Sequence, residues 1–232
     1  MAADTTALTA ADAHATTGHS SGGIGNPVLG MLLFITSEVM FFAGLFAAYF
    51  SIRANYTETI NGTVVRHWPP EAFHDLLNPF RLFTPEGYLN VVLPATILLV
   101  ISSFTCQFAV NGIKHDNRTT FTRNMAVTVV LGIAFLVLQL FDYSVLFREG
   151  LSMSSTTFGT TYFTLTGFHF AHVFGGVLML GVVLYRGMAG QFSAKHHDMV
   201  EAASWYWHFV DVVWILLFSL LYLLPGKSPA GV

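Results

Sequence analysis

Five long apolar segments dominate this sequence and limit its possible folds more than any other feature. They lie at residues 28–52, 88–113, 125–147, 156–185 and 202–224. A helix needs about 20 apolar residues to cross the hydrocarbon core of a bilayer. Soluble helices of this length would show a polar stripe, and a membrane barrel would show shorter, alternating strands. The sequence therefore predicts an all-α integral membrane bundle of five transmembrane helices, within a membrane domain at residues 28–225.

The composition indicates the same class of protein. Hydrophobic residues make up 53% of the chain and charged residues 10%, which leaves little polar surface for a soluble globule. The net charge is −3 and no basic run is present, so nucleic acid is not an expected partner. The single cysteine, Cys106, excludes an intrachain disulfide and a metal centre built on paired cysteines.

The segments outside the apolar runs differ in composition. Residues 1–27 contain no Lys or Arg and are rich in small polar residues, which predicts a flexible polar tail rather than a signal peptide. Residues 53–87 hold four prolines among Trp and Phe residues, which predicts an outer loop that packs on the membrane surface. Residues 226–232 are a short C-terminal tail. Pro94 is expected to kink the second helix or to mark its first turn.

Five crossings would place the two termini on opposite sides of the membrane. The ten Lys and Arg residues divide equally between the two sides, but Lys114, Arg118 and Arg123 crowd into one short connection. The loop at residues 53–87 is long and also acidic. Because short cytoplasmic loops carry an excess of Lys and Arg, we expect the N-terminus inside and the C-terminus outside.

A few ionisable residues lie within the predicted helices, where each needs a partner or a purpose. They are Glu38, Asp142, His169, His172, His208 and Asp211. Ion or proton chemistry is one explanation for such residues, and hydrogen bonding between helices is the other. Both explanations predict that these side chains face the interior of the bundle.

Glu38 lies ten residues into the first segment, roughly 15 Å along a helix from its start. No Lys or Arg is near it in that segment. Desolvation disfavours an unpaired carboxylate, so we expect Glu38 to be largely protonated at neutral pH. Proton exchange through this carboxyl group and a neutral hydrogen bond to a neighbouring helix both remain open.

His169 and His172 are three residues apart and could offer two ligands to a metal ion. A metal or haem site needs more ligands than this chain provides, so no metal or catalytic residue is predicted. The same helix carries Gly167, Ala171 and Gly175 at four-residue spacing. Such a stripe of small residues lets another helix approach closely, and tight helix packing is the favoured interpretation.

The last segment carries Ser204, His208 and Asp211 at helical spacing. These three side chains could share one face and satisfy one another. Glu201 precedes them at the membrane interface. It is expected either to meet lipid headgroups or a partner chain, or to lie on an ordinary solvated loop.

Three stretches of the sequence resemble the signature regions of cytochrome oxidase subunit III, the haem-copper oxidase subunit 3 family. They read GMLLFITSEVMFFAGLFAAYF at 30–50, GFHFAHVFGG at 167–176 and EAASWYWHFVDVVWILLF at 201–218. They occur in the order typical of the family, and the resemblance spans all five membrane segments. Because only a polar tail precedes the first segment, the sequence resembles the short, five-helix bacterial form.

The resemblance implies a non-catalytic subunit of a proton-pumping terminal oxidase in a bacterial inner membrane. Such a subunit lies beside catalytic subunit I, in a complex that includes subunit II. It holds structural phospholipid, contains no haem or copper of its own, and supports proton uptake and stability during turnover. Haem and copper would then lie in the partner subunits.

Individual residues can be matched to the family motifs. Glu38 would match the buried glutamate of the SEVMFF motif and support proton uptake, and His208 and Asp211 would match the pair in WHFVDVVW. Lipid or inter-helix contacts would involve these two residues together with His169, His172, Glu201 and Asp142. Asp142 stands where the family usually has a glutamate, which argues against carrying over a lipid or proton role.

Many family members have two further helices that form a lipid cleft with the other five. Here the cleft would be completed by another subunit, be absent, or open to bulk lipid. The alternatives in function are subunit III of a quinol oxidase, the related accessory protein of a nitric oxide reductase, and an independent enzyme or transporter. The last is disfavoured because the sequence shows no inverted repeat, no broken helices with paired glycines and too few metal ligands.

Overall fold

Five long helices make up nearly all of the structure, a computed structural model that describes residues 26–60, 63–65, 68–70, 73, 77–80 and 90–224. The helices are α1 (Asn26–Asn55), α2 (Val92–Lys114), α3 (Arg118–Arg148), α4 (Thr157–Met188) and α5 (Asp198–Phe218). A π-helix at Ser219–Leu223 continues α5. All five helices are long and apolar enough to cross a membrane. The predicted bundle of five transmembrane helices is therefore confirmed.

Only a small part of the structure is not helical. After α1, strands β1 (Glu58–Ile60) and β2 (Thr63–Val65) form an antiparallel hairpin that the sequence analysis did not predict. Further along the same loop, the side chains of Trp68 and Leu77 are buried in the hydrophobic core. The described part of this loop therefore packs on the bundle. Residues 1–25, 81–89 and 225–232 of the predicted tails and loop lie outside the described residues.

Short, well-capped connections join α2 to α3 and α3 to α4. The Asn117 side chain accepts a hydrogen bond from the Thr120 amide, and the Thr156 hydroxyl accepts one from the Gly159 amide. Both contacts satisfy amides at a helix start that have no partner within the helix. Gly150 follows the end of α3 with a φ of 84°, a left-handed conformation that glycine adopts without strain. These tight turns make consecutive helices antiparallel.

The bundle therefore has two ends. The start of α1, the α2–α3 turn and the α4–α5 connection share one end, called here the N-terminal end. The loop after α1, the α3–α4 connection and the π-helix share the other, the C-terminal end. Pro94 is the third residue of α2, so it lies in the first turn, where its missing amide hydrogen costs no helical hydrogen bond.

Helix α5 occupies the centre of the bundle, where it packs against α1, α2 and α4. Two of its three tryptophans, Trp207 and Trp214, are completely buried. The Trp207 indole N–H donates a hydrogen bond to the Ser102 hydroxyl (3.0 Å), and the Trp214 indole N–H donates one to the Thr96 hydroxyl (3.0 Å). Both bonds join α5 to α2, so the large rings of the core are also satisfied as hydrogen-bond donors.

Candidate functional site

Glu38 of α1 and His172 of α4 meet about halfway along the length of the bundle. Glu38 is twelve residues from the start of α1 and His172 is fifteen from the start of α4, roughly 18 and 22 Å along each helix. The Nε2 atom of His172 lies 2.9 Å from Oε2 of Glu38. The hydrogen-bond partner that α1 itself does not offer to Glu38 is therefore supplied by another helix.

The other ring nitrogen of His172 fixes how many protons this contact holds. Nδ1 lies 2.7 Å from the backbone carbonyl oxygen of Phe168, and a carbonyl can only accept. Nδ1 therefore carries a hydrogen and donates it. A hydrogen bond between Nε2 and Glu38 then needs one proton, which lies either on the carboxyl group beside a neutral imidazole or on the imidazolium beside a carboxylate. The pair has the same net charge in both forms.

Aromatic rings surround the pair and leave one side of it open. The Phe42 ring meets the His172 ring edge-on at 5.0 Å, and the Phe41 ring stacks near it at 6.1 Å. The side chains of His172 and Glu38 remain 16% and 19% exposed. The pair is therefore accessible from the surface of the bundle at mid-membrane depth.

His169 does not join His172. Its ring is buried against Trp214, with centroids 4.9 Å apart in a stacked arrangement, and it meets the edge of Phe135. Neither of its ring nitrogens has a hydrogen-bond partner in the described part of the chain. Within the same part, no three His, Cys, Asp or Glu side chains come together as a metal site would require.

Asp142 lies towards the C-terminal end, in a hydrogen-bonded group that joins three elements. Its Oδ2 accepts hydrogen bonds from the Tyr162 hydroxyl (3.2 Å) and the Gln139 amide (3.4 Å). The Tyr162 hydroxyl also meets the hydroxyl of Tyr222 in the π-helix. These contacts connect α3, α4 and the π-helix through side chains alone, which favours a structural role for Asp142.

The cluster at His208 differs from the prediction that Ser204, His208 and Asp211 satisfy one another. His208 Nδ1 lies 2.7 Å from the hydroxyl of Ser103 on α2, and the buried carboxyl group of Asp211 adjoins the same hydroxyl. Ser204 contacts Cys106 of α2. That prediction is wrong because α2 packs directly on this face of α5 and brings its own polar side chains to it.

Glu201 contacts two other side chains of this chain at the N-terminal end of the bundle. Its Oε1 lies 2.5 Å from Nζ of Lys114 at the end of α2 and 3.5 Å from Nε2 of His197. An ion pair as exposed as this one contributes at most about 1 kcal/mol to stability. It joins α2 to α5, so Glu201 makes an inter-helix contact rather than lying on a free loop.

Sequence reasoning found the charged members of these contacts but missed their neutral partners. Ser103, Tyr162 and Tyr222 were not singled out, although each bonds or adjoins a residue that was. The available signal was a hydroxyl group within an apolar helix, such as the Ser102–Ser103 pair in α2. Such a hydroxyl group needs a partner when the helix is in a membrane.

Comparison with known proteins supports the family resemblance seen in the sequence motifs. The model of the family described as "Cytochrome c oxidase subunit III" matches residues 10–225. The cytochrome c oxidase subunit 3 of Homo sapiens is 37% identical over 193 residues, which cover 83% of this chain and 67% of that protein. The corresponding proteins of Petromyzon marinus and Lumbricus terrestris are 39% and 40% identical over 193 residues, again 83% of this chain and 67% and 68% of theirs.

Proposed function

This chain belongs to the cytochrome c oxidase subunit III family, and we propose that it is a non-catalytic subunit that supports proton uptake by a proton-pumping terminal oxidase. Family membership makes it a multi-pass membrane subunit of a haem-copper oxidase complex. The proposal adds that the chain stabilises catalytic subunit I, contacts the complex that includes subunit II, and holds phospholipid. It places the chain in a bacterial inner membrane with the N-terminus in the cytoplasm.

The Glu38–His172 pair is the observation that supports a role in proton uptake. Because Nδ1 of His172 already donates to a carbonyl, the pair holds one shared proton between a carboxyl group and an imidazole. The proton can move between the two groups without any change in the net charge of the site. A group of this kind can exchange protons at a depth where an isolated carboxylate would be strongly disfavoured.

The partial exposure of the pair indicates which neighbouring group could exchange a proton with it. Both side chains are open on the surface between α1 and α4, so lipid or a neighbouring subunit covers them in the membrane. We propose that the pair exchanges protons with the neighbouring subunit and thereby sustains proton supply during turnover. A purely structural pair would only join α1 to α4.

The cofactors are proposed to reside in the partner chains. His169 and His172 have different surroundings, His208 bonds Ser103, and the described residues offer no cluster of three metal-ligating side chains. The relatives described above are subunits of cytochrome c oxidases, which favours a cytochrome c oxidase over a quinol oxidase. The electron donor is a property of the partner subunits, so their identity decides this point.

Affinity purification from native membranes tests the assignment as a non-catalytic subunit. A tagged copy of the chain should bring down a haem- and copper-containing subunit in a one-to-one ratio. When the complex is dissociated, the haem absorbance and the copper should follow the partner. Stoichiometric haem or copper in the separated chain, or purification without any haem protein, would contradict the proposed function.

A further inference from the structure

The surface of α5 between α1 and α2 forms a lengthwise furrow. Its floor is one exposed stripe of α5 at helical spacing, formed by Trp205, His208, Val212 and Ile215. Helices α1 and α2 both pack on α5 but do not form a packed pair with each other. They therefore stand as the two walls of the furrow.

Side-chain contacts identify the helix on each side of the furrow. On one side, the Phe209 ring lies 6.1 Å from the Phe42 ring of α1. On the other side, His208 meets Ser103 of α2. Val212 lies between these two edges of the stripe and is 57% exposed, although α5 is otherwise the most buried of the five helices.

His208 places an incompletely satisfied polar group on this furrow. Its Nδ1 is engaged by the Ser103 hydroxyl, and its Nε2 has no hydrogen-bond partner in the described part of the chain. The ring is partly exposed and lies ten residues from the start of α5, about 15 Å into the helix. At that depth the bilayer offers no water, and either tautomer of the imidazole leaves Nε2 in need of a partner.

A lipid chain in the furrow would leave this nitrogen unsatisfied, whereas a protein helix can satisfy it. Polar side chains on membrane helices are typically met by hydrogen bonds from a neighbouring helix. We propose that the furrow binds a transmembrane helix of another oxidase subunit, which presents a hydroxyl, amide or carboxyl side chain to Nε2 of His208. This inference rests on the proposed function, because it assigns a docking surface for the oxidase complex.

The furrow is distinct from the surface that carries the Glu38–His172 pair. That pair lies where α1 meets α4, whereas the furrow lies where α1 and α2 meet α5. Helix α1 borders both surfaces. The chain therefore has one face suited to proton exchange and another suited to assembly.

Site-specific photo-crosslinking in the assembled complex tests the docking surface. A photoreactive residue replaces Val212 in the furrow or, as a matched control, Val130 of α3, which is 63% exposed and lies outside it. The probe at Val212 should cross-link to a transmembrane peptide of an oxidase subunit that contains a polar residue, with a clearly higher yield than the probe at Val130. Cross-links from position 212 to lipid alone, or equal protein yields at both positions, would overturn the inference.

Substitutions give a second, independent readout. Val212→Trp should fill the furrow and reduce the partner subunit retained on the tagged chain after detergent washing, whereas Val130→Trp should not. His208→Leu should reduce the association constant about threefold, as expected for one hydrogen bond between membrane helices. Partner retention at the wild-type level in both furrow variants would overturn the proposal.

The outcomes also separate this inference from the proposed function. If the wild-type chain purifies with its haem-containing partner but the probe at Val212 reaches only lipid, the docking surface is wrong and the proposed function stands. If no haem-containing partner purifies with the wild-type chain, both proposals fail.

Discussion

Trp207 of α5 lies directly against Gly132 of α3, where a methyl group on the glycine would come within 2.8 Å of the indole ring. Gly176 of α4 lies against the same ring, and a methyl group there would be 2.9 Å from it. The central helix thus packs against its neighbours because two glycines leave room for one tryptophan.

The substitution Gly132→Ala should therefore destabilise the chain. Overpacking of a well-packed interior of this kind costs about 1–3 kcal/mol, because the buried ring has little room to move. The measurement is the thermal unfolding of the purified protein in detergent. Gly44→Ala is the matched control, since Gly44 of α1 has open space on its side-chain face. Equal melting temperatures for the two variants would show that Trp207 can shift aside.

The group around Asp142 leads to a second prediction about stability. Tyr162→Phe removes the hydroxyl that donates to the Asp142 carboxyl group and meets Tyr222. Loss of a partner from a buried polar group costs about 1–3 kcal/mol, so the C-terminal end of the bundle should unfold more easily.

The control for that prediction is Tyr185→Phe. Tyr185 is on the same helix but is 69% exposed, so its substitution should leave the unfolding temperature unchanged. Hydrogen exchange should locate the effect of Tyr162→Phe in the last turns of α5 and in the π-helix. A loss of protection spread evenly over all five helices, or none at all, would contradict this account.

The five helices could be predicted from the sequence because the length of an apolar run directly reflects the thickness of a bilayer. The partner of Glu38 could not be predicted from the sequence in this way. His172 is 134 residues away along the chain, and only the packing of α1 against the bundle brings the two together. Hydropathy carries no information about which helices become neighbours.

The pair His169 and His172 shows a second limit of sequence reasoning. Three residues along a helix correspond to a rotation of about 60° from the starting position. That rotation suffices to place His169 in the core against Trp214 and to direct His172 towards α1. Two histidines that are close together in the sequence therefore have different surroundings in the structure.

The small residues of α4 show the same effect. The stripe of Gly167, Ala171 and Gly175 was expected to be tightly packed, yet Gly167 has open space and Ala171 is exposed in the described structure. The close approach occurs instead at Gly176, the next residue along. A periodic stripe indicates a face of the helix, but it does not say what covers that face.

The orientation of the chain is tested with single cysteines in the two tails. Ser21→Cys should react with an impermeant thiol reagent only from the cytoplasmic side, and Ser228→Cys only from the outside. The reason is that five helices make an odd number of crossings, with a short basic turn at the N-terminal end. The native Cys106 is buried and should not react. Labelling of both tails from one side would contradict five crossings, and the reverse pattern would contradict the orientation.

The proton-sharing pair predicts different effects for two substitutions of Glu38. In Glu38→Gln, the amide can still donate a hydrogen bond to Nε2 of His172, so α1 should stay in place and the complex should assemble. The amide cannot release or take up a proton. Glu38→Ala loses both the hydrogen bond and the proton, and it should also weaken assembly.

The most direct test is the rate of proton uptake during turnover by the assembled complex carrying Glu38→Gln, measured across a range of pH together with the active lifetime of the enzyme. The account predicts normal assembly with slower uptake or a shorter lifetime, and a difference from wild type that grows as pH rises and protons become scarce. A Glu38→Gln complex identical to wild type in uptake, pH profile and lifetime, beside a Glu38→Ala chain that fails to assemble, would contradict the proton role and leave the pair a structural link between α1 and α4.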